Sequence, residues 1–117
     1  MAAVQPNVRV FMTGEYNLIF NAVQQAIAGV EGLIEQAAWQ QGTLVGRTPQ
    51  RPHTAGVRLT CTIWRVDMQN NWRLELVLSP VNPAEWLDPA GLQELTTRFV
   101  TALGRWHGQG FVITGYG

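Results

Sequence analysis

Residues 56–79 read GVRLTCTIWRVDMQNNWRLELVLS, and this stretch decides the fold. From Gly56 to Asp67, the apolar Val57, Leu59, Cys61 and Ile63 alternate with Arg58, Thr60, Thr62, Trp64 and Val66. That two-residue period is the mark of a strand with one buried face. Trp72 to Ser79 repeats it, with Trp72, Leu74, Leu76 and Leu78 on one side and Arg73, Glu75 and Val77 on the other. Met68–Asn71 makes the turn. If Asp67 faces Trp72 across it, Ile63 meets Leu76, Cys61 meets Leu78, Trp64 meets Glu75 and Thr62 meets Val77, which keeps both apolar sets on one side. The outer side is then not fully polar: Trp64, Val66 and Val77 face water unless something covers them.

Working outward from the hairpin, Ser79-Pro80-Val81-Asn82-Pro83 ends it, since proline cannot continue a ladder. Asn82-Pro83 opens one helical turn through Leu87. Asp88-Pro89 is a stronger start, an acceptor at the cap with proline in the first helical position. Leu92, Leu95, Phe99, Leu103 and Trp106 follow as an apolar stripe, with Glu94 and Arg98 one turn apart outside it. His107-Gly108-Gln109-Gly110 closes this helix, and Phe111–Thr114 reads as a final strand. On the other side, Val8–Met12 reads as a short first strand. Thr13 offers an oxygen to the next turn, and Glu15 meets the positive end of a helix. Tyr16, Ile19, Phe20, Val23, Ile27, Val30, Ile34 and Ala37 then step by three and four, which predicts one long helix across Gly29 and Gly32. These glycines mark either a bend or a close backbone approach. The reverse face of that helix, Asn21, Gln24, Gln25, Ala28, Glu31, Glu35 and Gln36, is polar but carries no basic residue. It is either an under-charged surface or a place for a partner helix. Gln41–Ala55 reads as a long Gly-, Pro- and Thr-rich loop in which Thr43, Leu44 and Val45 pair as a short strand.

The order predicts a single α+β domain over residues 1–117: a two-layer sandwich with two helices packed on one face of a mainly antiparallel sheet. It is either a ferredoxin-like βαββαβ arrangement or a helix-strands-helix-strand variant without the first strand.

The chain has 117 residues, 46% hydrophobic and only 14% charged, with a formal net charge of zero. All eight basic residues are arginine. A balanced charge argues against a general nucleic-acid or membrane-surface role, which rests on a basic excess. Met1–Asn7 lacks the basic and apolar regions of a secretory signal, and no apolar run approaches a membrane span. The expected location is therefore cytoplasmic, or inside a larger particle such as a virion. One cysteine excludes an internal disulfide and a multi-thiolate zinc site.

No constellation of catalytic type is legible. Cys61 sits mid-strand on the apolar face, as a packed thiol does. His53 and His107 belong to no metal motif, although a loop histidine such as His53 can serve as a general base; Glu75 is the only acid in mid-strand, so no second carboxylate joins it. Gly42-Thr43-Leu44-Val45-Gly46-Arg47 lacks the ending of a phosphate loop. No cofactor and no metal is expected. Arg47, Arg51 and His53 form the one sign-biased segment, suited to an anion or an acidic partner. Of five tryptophans, Trp72 and Trp106 fall on core faces, whereas Trp39, Trp64 and Trp86 do not. Those three are interface candidates, because indole removes a large area from water and keeps one donor.

These features favour a non-enzymatic assembly subunit that associates with itself and with other protein subunits. By its order of elements the chain is similar to small phage tail-completion or tail-terminator subunits, a likeness of fold that implies a ring component. The alternative is a small-ligand-binding protein or small enzyme of α+β barrel type. Its pocket would lie between helices and sheet, where Arg47, Arg51 and His53 orient an anion over a tryptophan wall. Single-strand nucleic-acid binding through Trp64 and arginines is a third reading, disfavoured by zero net charge.

Overall fold

The computed structural model describes residues 5–50, 52 and 55–117. Eight elements follow in order: β1 (Val8–Gly14), α1 (Tyr16–Gly29), β2 (Leu33–Ala38), β3 (Thr43–Arg47), β4 (Val57–Arg65), β5 (Asn71–Pro80), α2 (Pro89–Gly104) and β6 (Phe111–Tyr116). The strands form one antiparallel sheet in the order β2-β3-β4-β5-β1-β6.

Alternation along the strands builds the core. Val10 and Met12 of β1, Leu44 of β3, Leu59, Cys61 and Ile63 of β4, and Leu74, Leu76 and Leu78 of β5 are buried. They join Ile19, Phe20, Val23 and Ile27 of α1 and Leu95, Phe99 and Leu103 of α2 in one apolar cluster. Among the described residues no polar or charged side chain is buried. The intervening positions, Arg9, Phe11, Thr43, Val45, Arg58, Thr60, Thr62, Arg73, Glu75 and Val77, are all half-buried, as on a sheet face that no further layer covers.

The expected fold is overturned. The sheet has six strands, not the four of a ferredoxin-like frame, and the variant without the first strand fails because β1 is an interior strand between β5 and β6. The molecule is strand-rich, and its helices do not form an even pair on one sheet face: α2 approaches α1 more closely than it approaches any strand. The missing strand is β2, which lies within the expected long helix. α1 ends at Gly29, where Glu31 takes a left-handed conformation (φ 62°). The Gly32 N–H then bonds the Ile27 carbonyl at 2.9 Å and the Glu31 N–H bonds the Ala28 carbonyl at 3.0 Å, which is a Schellman stop. Glu35 and Gln36 therefore lie on a strand, and the supposed partner-helix face loses its C-terminal part. The glycines stand at the end of the helix and beyond it, not inside it, so neither marks a bend; at Gly29 a side chain would press on Ala102 of α2. The helix stops at Gly29, and a side chain at Gly32 would collide with Ile27.

The hairpin register is also corrected. Ile63 pairs with Leu74, Cys61 with Leu76, Thr62 with Glu75 and Trp64 with Arg73, two residues away from the expected partners. The faces are unchanged because the shift is even. The loop is 66–70, closed when the Val66 N–H bonds the Asn71 carbonyl at 2.9 Å. Asn70 supplies the left-handed residue (φ 59°). Asp67 accepts from the Gln69 N–H at 2.7 Å and from the Asn71 amide at 2.8 Å, and these bonds hold its carboxyl below the usual range. The short strand expected at Thr43–Val45 is present as β3, and Asn82-Pro83 forms a turn without a helix.

Candidate interaction surface

The uncovered sheet face is organised in cross-strand rows. Trp64 of β4 stands opposite Arg73 of β5, which stands opposite Phe11 of β1. Thr62, Glu75 and Arg9 form the next row, and Thr60 pairs with Val45 on one side and Val77 on the other. Trp64 is 49% exposed, and Val66, just past the strand end, is 55% exposed. Trp64, Val66 and Val77 thus lie on the open side, as the alternation requires.

Four arginines point from this face: Arg9, Arg47, Arg58 and Arg73. Glu75 serves two of them, with Oε1 at 3.5 Å from Arg9 Nε and 3.1 Å from Arg73 Nε. Arg73 Nε makes this contact as an ion pair without hydrogen-bond geometry. Arg58 Nε lies 3.9 Å from Glu35 Oε1 and stands opposite Arg47 in the ladder. Partly solvated pairs of this kind contribute about 0–1 kcal/mol, so their effect is to orient side chains more than to hold the sheet.

The remaining candidates are dispersed. Arg47 sits at one end of β3, paired with Leu33, whereas Trp39 follows the Ala38–Thr43 pair at the other end. Of the expected anion site of Arg47, Arg51 and His53, Arg51 and His53 lie outside the described residues, and Trp39 is a strand's length from Arg47. Trp86, 79% exposed, lies in the turn before α2. Trp72 and Trp106 are half-buried against the core. Cys61 is fully buried, and burial pushes its thiol pKa far up. His107 Nδ1 accepts the Ile113 N–H at 2.9 Å, a local bond that closes the turn into β6.

A second feature went unread in the sequence. Tyr16 at the start of α1, Trp39 in the β2–β3 turn, Arg65 at the end of β4 and Trp72 near the start of β5 converge at one end of the sheet. The Tyr16 ring centroid lies 5.2 Å from that of Trp39 and 4.9 Å from that of Trp72. Arg65 stacks with Cζ 5.1 Å from the Trp72 centroid. Desolvation raises the Tyr16 pKa. Arg65 and Trp72 are ladder partners, so the true hairpin register was the sequence signal that would have joined them.

No protein-family profile and no curated protein sequence matches this chain. Among the described residues no helix is long and apolar enough to cross a membrane, and no group of His, Cys, Asp and Glu side chains is gathered as a metal ion requires.

Proposed function

We propose that the protein is a non-enzymatic assembly subunit that binds copies of itself through the uncovered face of its sheet. The observation that supports this is the exposed Trp64 on that face, with Phe11 in its row and Val66 just past the strand end, and a second apolar row of Val45 and Val77 beyond Thr62, Glu75 and Arg9. A monomer gains nothing by leaving a large indole half in water, whereas a subunit recovers the area on association. Zero net charge removes long-range repulsion between copies. The shared Glu75 offsets part of the charge of Arg9 and Arg73, so the face is not a uniformly repulsive patch. The six-stranded order replaces the order of elements on which the likeness to tail-ring subunits rested.

The test is native mass by light scattering behind a sizing column, at low and moderate salt. The expected result is a defined multiple of 13.0 kDa. The double substitution Trp64→Ser, Val66→Ser should shift it toward the monomer with an unchanged circular dichroism spectrum. A wild-type monomer under all conditions would overturn the proposal.

A further inference from the structure

We propose that the corner formed by Tyr16, Trp39, Arg65 and Trp72 is a binding site for a planar aromatic carboxylate. Each ring has its polar atom engaged inside the corner: Trp39 Nε1 donates to Asn17 Oδ1 at 2.9 Å, Trp72 Nε1 donates to the Gly14 carbonyl at 3.0 Å, and the Tyr16 hydroxyl donates to the Trp39 carbonyl. The rings are therefore fixed before anything arrives, and little side-chain entropy remains to be lost on binding. They are not buried by this arrangement. Trp39 is 49% exposed, and the four residues together wall two adjoining open recesses of about 350 and 440 Å³. That room suits one small ring system.

Arg65 gives the site its charge preference. Its Nε donates to the Asp67 carbonyl at 2.9 Å and its Nη2 to Asn70 Oδ1 at 3.4 Å, which sets the guanidinium plane over Trp72. A guanidinium has five N–H donors, so donors remain for a ligand carboxylate beyond these two bonds. Two acids stand at the corner: Asp67, whose carboxylate is committed to Gln69 and Asn71, and Glu15, which lines only the larger recess, so a ligand carboxylate is favoured on the Arg65 side of the smaller one. A flat ring stacked against the Trp39 indole would place an acid group at the rim that Arg65 forms. Flatness and negative charge are thus separate requirements, met by different residues.

Three probes separate them: naphthalene-1-acetate, its neutral match naphthalene-1-acetamide, and the non-planar cyclohexylacetate. Binding is followed by the indole N–H resonances of the tryptophans, assigned with single Trp→Phe variants. The expected result is a saturable shift of the Trp39 and Trp72 signals with naphthalene-1-acetate, about fivefold weaker binding of the amide, and no saturable shift with cyclohexylacetate. Arg65→Gln should erase the difference between acid and amide while keeping the amide's affinity, and Trp64→Phe should change neither. Equal affinity of acid and amide for the wild type would overturn the proposal, as would shifts spread over all the tryptophans or none at Trp39 and Trp72. The wild-type titrations decide the matter even if a variant fails to fold, and they do not depend on whether the chain self-associates.

Discussion

Cys61 stands between Leu44 of β3 and Leu76 of β5 in the ladder and is fully buried. Its alternation with Leu59 and Ile63 makes that placement legible in the sequence, because a strand period of two leaves no choice of face once the neighbours are fixed. Burial raises its thiol pKa above the ordinary value of 9.0, because a thiolate in the apolar core would lose its hydration. The native protein should resist thiol reagents and react only on unfolding. The sign of the pH effect follows. With the folded pKa raised, the unfolded chain releases the proton first, so stability is complete below the ordinary thiol value and falls as pH rises beyond it, by about 1.4 kcal/mol per pH unit. Denaturant unfolding between neutral and alkaline pH should show a steeper loss for the wild type than for Cys61→Ala. Cys61→Ser should cost about 1–3 kcal/mol at neutral pH, since its hydroxyl would be buried among apolar side chains.

At the scale of elements, α1 shows why a strong periodic signal misleads at both ends. Val30, Ile34 and Ala37 continue the helical spacing, yet Ile34 and Ala37 share a side of β2 because the register shifts between Ile34 and Gln36. A bulge turns a strand's period of two into three, which imitates a helix. At the other end Thr13 belongs to β1 and bonds Asn71 at 2.6 Å, so it does not cap the helix. The cap is Glu15, in extended conformation but with no side-chain bond to the first turn. α2 has the cap that α1 lacks, since Asp88 accepts the Ala90 N–H at 3.3 Å, as the Asp-Pro pair announced. Shortening the side chain at the α1 cap should supply the bond, because an aspartate oxygen reaches the second or third N–H of a helix where a glutamate does not. Glu15→Asp should therefore raise stability by about 0.5–1 kcal/mol, read as a higher denaturation midpoint with unchanged slope. An unchanged or lower midpoint would show that the first turn is already satisfied by other means.

For the whole molecule, the β4–β5 hairpin, β1, β3, α2 and β6 were legible, but β2 was not, and that strand decides where the sheet ends. Its edges are β2 and β6, so two routes to association exist: the open face and the free ladder of an edge strand. Leu33, 66% exposed, begins the β2 edge, and this short strand carries neither the lysine nor the proline that usually guards an edge. The bulge after Ile34 takes over that guarding role. It breaks the regular row of donors and acceptors that a second strand needs, so the edge offers only short runs on either side. Around Trp64 the β4–β5 ladder runs without a register shift. Leu33→Lys should accordingly leave the native mass unchanged and alter stability by less than about 0.5 kcal/mol, because the side chain is largely in water already. Trp64→Ser alone should lower the mass or weaken association on dilution. If instead Leu33→Lys produced the monomer and Trp64→Ser did not, the subunits would be joined at the β2 end of the sheet, where Leu33 stands opposite Arg47, and not around Trp64.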